Sequence, residues 1–169
     1  QVDRMDQGIG RLLEALERTG RLENALVLFL SDNGGCAERI SRGERDPERI
    51  GTAASFESYR RGWAHLSNTP FRLYKHWVHE GGIATPLIAY WPGVIKKGGE
   101  VTHQPGHVID IMATCLDAAG IDYPTEFQGR QPLPLEGKSL MPIFHGRQRS
   151  GHELLAWNCG LGRAIQMGE

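Results

Sequence analysis

The feature that most constrains this chain is the apolar run ALVLFL at residues 25–30, followed without a break by SDNGG at 31–35. A run of that length suits a strand, and it lacks the apolar–polar alternation of a strand with one wet face. It is therefore expected to be a buried strand of a parallel α/β sheet, not half of an exposed hairpin. A polar, Gly-rich turn directly after such a strand stands where open α/β sheets gather their ligands. The run is also far shorter than the roughly 20 residues a membrane-spanning helix needs.

The pattern on either side agrees with an α/β reading. Met5, Ile9, Leu12, Leu13 and Leu16 recur at helical spacing, and Gly20 falls where that helix would stop. PLIAYWP at 86–92 predicts a second buried strand bracketed by prolines. HVIDIMATCLDAAG at 107–120 predicts an amphipathic helix with Ile109, Met112, Cys115 and Leu116 on one side, Cys115 in the core and Gly120 as the stop. A Pro-rich connector follows at 123–137, then SLMPIFHG as a short helix at best, then ELLAWNC and RAIQMG as a closing pair of strands. Residues 36–63 are charged and irregular, the pattern of an insert or lid. With 22 Gly and 9 Pro in 169 residues, scattered without a period, the chain is loop-rich but neither collagenous nor of low complexity.

Charge excludes some partners. Nineteen Lys and Arg against 20 Asp and Glu give a net charge of -1, which offers no bulk attraction to nucleic acid or to an anionic membrane. The three cysteines, Cys36, Cys115 and Cys159, have neither zinc-ligand spacing nor the even number of a disulfide framework, and none stands in a nucleophile motif. Residue 1 is Gln and no charged-then-apolar leader follows it. No P-loop, GxSxG elbow or dinucleotide fingerprint is present.

Two places could carry chemistry. Asp32 and Asn33 put a carboxylate beside an amide oxygen in one turn, a donor pair suited to a hard cation such as Ca²⁺ or Mg²⁺. Gly34 and Gly35 would let the backbone take positive φ there. The same residues also make an ordinary turn, and two ligands do not complete a shell of roughly six to eight oxygens. Lys75, in FRLYKHWVHEGG, is followed by His76, His79, Glu80 and a Gly pair, a cluster too polar for a core and too Gly-rich for a helix. A lysine there could hold an oxyanion as a point charge, although a lone Lys is ordinarily a solvated surface group. Glu80 could simply brace its turn. His76 and His79 could act as acid–base groups, but structural or surface roles take precedence for them, as for His103 and His107.

Taken together, these stretches resemble the sulfatase family of the alkaline-phosphatase superfamily, particularly arylsulfatase-like enzymes of bacteria. MDQGIGRLLEALE, LFLSDNGG, GWAHLSNTPFRLYKHWVHEGGIATPLIAYWPG, HVIDIMATCLDAAG and LEGKSLMPIFHG carry the likeness over nearly the whole chain. SDNGG and LYK-x4-EGG at this separation are its specific part. The resemblance implies an alkaline-phosphatase-like sandwich with a mainly parallel sheet flanked by helices. Residues 1–125 would form part of the catalytic α/β domain, and 126–169 a connector and the start of a strand-containing C-terminal subdomain. It implies that Asp32 and Asn33 are ligands of a divalent cation, usually Ca²⁺, and that Lys75 contacts the sulfate group. Trp63 and His79 would line the substrate entrance, a weaker transfer with no catalytic role attached to His79.

In that family the nucleophile is a formylglycine made from the Cys or Ser of a C/S-x-P-x-R motif, with the metal polarising sulfate oxygens and basic side chains neutralising developing charge. This sequence contains no C/S-x-P-x-R, so it is expected to be an internal or C-terminal portion of a longer enzyme, inactive alone, with the formylglycine in the missing part. The partner would be a small-molecule or carbohydrate sulfate ester, and export to the periplasm or outside the cell follows family habit. Two alternatives stay open at this point: a phosphate or phosphonate ester hydrolase of the same superfamily, and a non-catalytic binding protein that keeps the fold.

Overall fold

A computed structural model describes residues 1–40, 46–58, 60–160 and 162–168. The chain divides into two units, one of Gln1–Leu28, Ala89–Glu153 and Met167–Glu169, the other of Phe29–Ile88 and Leu154–Gln166. The class is α/β. Helices α1 (Val2–Arg18), α2 (Arg60–Ser67), α3 (Glu80–Ile83), α4 (Asp110–Ala119) and α5 (Met141–Phe144) accompany strands β1 (Val27–Leu30), β2 (Leu87–Tyr90), β3 (Leu154–Cys159) and β4 (Gly162–Met167). β1 pairs with β2, and β3 with β4.

The first unit begins with α1, whose apolar spacing gives the predicted helix. It ends as expected, with Thr19 as its cap and Gly20 at φ 67°. None of its residues is buried, so its apolar stripe is only partly covered. The core of this unit is Trp91, Leu140 and Phe144, with Leu26, Leu28, Ala89, Val94, Ile95 and Ala118 packed against them.

Several burial expectations are corrected. β1 is only partly buried and leaves Phe29 40% exposed. β2 leaves Leu87, Ile88 and Tyr90 exposed, and the buried residue of that segment is Trp91, just past the strand. Within α4 the inward face is Asp110, Ala113 and Thr114, while Met112 and Cys115 are exposed, so Cys115 is not a core residue. The helical period of α4 and its Gly120 stop (φ 65°) are as read. The phase differs because a polar network, which no apolar pattern reveals, claims the inward face.

Asp110 is fully buried and its carboxylate accepts from four donors: backbone N–H of His107 (2.9 Å) and Lys138 (2.8 Å), Arg149 Nη2 (2.9 Å) and His152 Nε2 (2.6 Å). Thr114 Oγ1 donates to the Asp110 carbonyl and accepts from Leu140 N–H at 2.9 Å, tying α4 to the approach of α5. Burial works against the charge on Asp110, yet the bonds outweigh it and hold its pKa below the ordinary 3.8. Stability from this carboxylate is therefore present above the ordinary carboxylate pKa and is lost as pH falls through the depressed one. Asp110→Ala, which strands Arg149 in the interior, is expected to lower unfolding free energy by about 3–5 kcal/mol. Urea unfolding monitored by circular dichroism tests this, and a loss below 1 kcal/mol would contradict the assignment.

Candidate functional site

The site builds up within the second unit from the turn after β1. Ser31 Oγ donates to the Asn33 carbonyl at 2.9 Å, and Thr85 Oγ1 donates to the Ser31 carbonyl at 2.9 Å. Asp32 is exposed and Asn33 half-buried. Asn33 Nδ2 donates to the Gly34 carbonyl at 3.1 Å, which keeps its oxygen, the atom a cation would take, out of that bond.

The glycines act differently from expectation. Neither Gly34 nor Gly35 takes positive φ. Gly34 N–H donates to the Gly82 carbonyl at 3.0 Å, and a Cβ on Gly34 would run into the Gly81 carbonyl. A Cβ on Gly81 would in turn strike the carbonyls of Leu73 and Arg72. Gly34 thus packs its backbone against Gly81 at a distance that a side chain on Gly34 would forbid, while Gly81 and Gly82 pack equally closely against the carbonyls of residues 72–77. Gly81 and Gly82 lie in the one-turn helix α3, with His79 at its N-cap, so the Gly-rich cluster does form a helical turn. Asn68 binds the assembly from a third segment: its Oδ1 accepts from Gly35 N–H (3.0 Å) and its Nδ2 donates to the Leu73 carbonyl (3.1 Å).

Lys75 is carried on this frame by its N–H, which donates to the Gly35 carbonyl at 3.1 Å. Its neighbours Leu73 (φ 65°) and His76 (φ 78°) both occupy the left-handed region. That conformation is uncommon for non-glycine residues and strained for one as bulky as Leu; such strain persists only where surroundings over-determine it.

The Lys75 ammonium is not a free surface charge. Its Nζ lies 3.0 Å from Glu38 Oε2, His76 Nε2 lies 3.2 Å from Glu38 Oε1, and Cys36 Sγ donates to Glu38 Oε2 at 3.1 Å. The hydrogen bond from Cys36, then Lys75 and His76, lowers the Glu38 pKa from 4.5 to about 2. Glu38 in turn raises the Lys75 pKa, with a smaller contribution from Asp32. The chemical result is a cation that stays charged, held beside a carboxylate that stays charged.

The other expected site residues fall as follows. Trp63 lies on α2 with 64% of its surface exposed. His79 is half-buried, with its ring 6.3 Å from that of Trp77. Of the irregular stretch 36–63, residues 41–45 and 59 lie outside the described residues; the described part holds a 3-10 turn at Pro47–Arg49 and the start of α2. Sequence reasoning missed Glu38 and Asn68, and it gave Cys36 no chemical neighbour. Glu38 was one acid among several in a charged stretch, and Asn68 carried no motif of its own.

Asp32 and Asn33 fit a hard cation in kind, offering a carboxylate and an amide oxygen from one turn. Among the described residues no group of three His, Cys, Asp or Glu side chains could hold a metal, so further oxygens would have to come from other donors.

The family model described as Sulfatase matches residues 1–121. The arylsulfatase of Klebsiella aerogenes is 35% identical over 161 residues, covering 88% of this chain and 34% of that protein. The N-acetylgalactosamine-6-sulfatase of Mus musculus is 34% identical over 164 residues, covering 94% of this chain and 27% of that protein. Among solved structures, the PsFucS1 sulfatase from Pseudoalteromonas sp. superposes with a TM-score of 0.60 at 26% identity, covering 94% of this chain and 26% of that one. The chain therefore spans about a third or less of the length of these relatives.

Two outcomes are expected. Gly34→Ala should destabilise by about 1–3 kcal/mol, the range for forcing atoms into a packed space, measured as a drop in the urea midpoint. In an NMR pH titration the Glu38 carboxyl should titrate near 2, and Cys36→Ala and Lys75→Met should each raise that midpoint toward 4.5. A midpoint already near 4.5 in the unmodified chain would remove the cluster.

Proposed function

The chain belongs to the sulfatase family, and from that premise we propose that it supplies one side of the metal and sulfate site of an enzyme that hydrolyses sulfate esters. The observation that carries this reading is the packing of two Gly pairs, through which the Asp32–Asn33 turn and the Lys75 turn are held together in a single unit. Loop residues on a rigid support are where binding groups are ordinarily found.

In this reading Lys75 binds the sulfate group through Nζ, as a permanently charged donor next to the ester's oxygens. The hydrogen bond from its N–H to Gly35 and the left-handed turns on either side orient it. Asp32 and Asn33 would hold a divalent cation, Ca²⁺ or Mg²⁺, through their oxygens. Bound there, such an ion supplies polarisation of the sulfate oxygens. The nucleophile belongs to a formylglycine motif that these 169 residues do not contain. The wider mainly parallel sheet and the alkaline-phosphatase-like sandwich are part of the same proposal, as is a small-molecule or carbohydrate sulfate ester as substrate. The likeness to sulfatases named for different substrates favours sulfate over phosphate and leaves the leaving group open.

The test separates binding from turnover. The 169-residue chain should not hydrolyse 4-nitrophenyl sulfate, yet it should bind inorganic sulfate weakly by calorimetry. Lys75→Met should abolish that binding, and Asp32→Asn should weaken Ca²⁺ binding by tenfold or more, the order expected when one carboxylate ligand is lost from a small set. Rapid 4-nitrophenyl sulfate hydrolysis by this chain would overturn the placement of the nucleophile elsewhere. Sulfate binding indifferent to Lys75→Met would overturn the role of Lys75.

A further inference from the structure

We propose that Glu38 is an internal counter-anion of the Lys75 site: its carboxylate occupies the place of an anionic substrate group and is displaced when that group binds. The inference rests on the sulfate reading of Lys75 and adds to it a residue that sets which anions can enter.

Three potential donors meet on one carboxyl group. Lys75 Nζ (3.0 Å) and Cys36 Sγ (3.1 Å) engage Oε2, and His76 Nε2 (3.2 Å) engages Oε1. A sulfate monoester presents the same problem to a receptor as a carboxylate does: one negative charge shared over oxygens that can be gripped at more than one point. The arrangement around Glu38 is thus an anion receptor already filled by the chain's own anion.

The two sides of the contact are not equally held. Lys75 and His76 sit on the frame made by the Gly35 carbonyl, the Asn68 side chain and two left-handed residues. Glu38 lies in a stretch, 36–40, with no regular structure, and Ile40 N–H, two residues on, donates to a side chain, Ser58 Oγ, at 3.2 Å. The Glu38 side chain is 40% exposed and that of Lys75 33%, so a displaced carboxylate moves into water and is not forced into a core. Ion pairs exposed to this extent contribute little. The receptor therefore stays in place while its occupant exchanges, and an incoming anion must out-compete a tethered carboxylate.

The experiment titrates the 169-residue chain with inorganic sulfate by calorimetry, with the His76 imidazole NMR signals as a second readout. Four forms are compared: unmodified, Glu38→Gln, Glu38→Ala and Lys75→Met. Glu38→Gln keeps the shape and an oxygen acceptor but removes the competing charge; Glu38→Ala serves if Gln disturbs folding, judged by thermal melting. Both are expected to bind sulfate roughly twofold to fivefold more tightly, the range an exposed ion pair can shift an equilibrium, with Lys75→Met losing the binding. Unchanged or weaker sulfate binding in the Glu38 variants, still dependent on Lys75, would make Glu38 a positioning partner and overturn the proposal while leaving the sulfate reading intact. Binding that ignores Lys75→Met, or is absent from the unmodified and Glu38 forms alike, would overturn the sulfate reading and this proposal with it.

Discussion

The approach of two backbones at Gly34 and Gly81–Gly82 is the constraint on which the rest of the site depends. A Cβ on Gly34 would overlap the Gly81 carbonyl, and one on Gly81 or Gly82 would overlap carbonyls of the preceding turn at residues 72–77, so each contact needs a residue without a side chain. Once the contact is made, Gly34 N–H has its acceptor in the Gly82 carbonyl and the Lys75 N–H has one in Gly35. These bonds give two main-chain N–H groups of the packed segments their partners. They also explain how strained φ values at Leu73 and His76 survive, because the surrounding bonds leave that turn little alternative. The side chains that leave this frame are Asp32, Asn33, Lys75 and His76.

Charge is handled differently in the two units. Asp110 is fully buried and meets Arg149, His152 and two main-chain N–H groups, so its anion is answered from several directions. A buried carboxylate persists only when satisfied in this way. Glu38 has a comparable number of partners but remains partly open to water. The first arrangement suits a permanent structural tie between α4 and the segment around Lys138 and Arg149. The second suits exchange, because its members can be resolvated individually.

Some of this was legible in the residues alone. The helical spacing of α1 and α4, their stops at Gly20 and Gly120, the strands after Ala25 and Pro86 and the closing pair β3 and β4 all follow from local rules of period and capping. The family likeness was legible too, because SDNGG and LYK-x4-EGG stand at a particular separation. Burial was not. Met112 and Cys115 satisfy an apolar pattern yet face outward, since the inward phase of α4 is taken by Asp110 and Thr114. The purpose of Gly34 was misread as freedom of φ when the operative reason is space.

By itself, then, the sequence determined the α/β class, the principal elements and membership of the sulfatase family, for these rest on contacts between near neighbours and on motifs read in order. Only the tertiary structure decided that Gly34 meets Gly81, that Asn68 clamps two turns, and that Lys75 faces Glu38 from 37 residues away. The physical reason is range. Period, caps and turns are settled within a few residues, whereas an ion pair or a backbone contact depends on where the chain returns, and one acid in a charged stretch looks like another until it does.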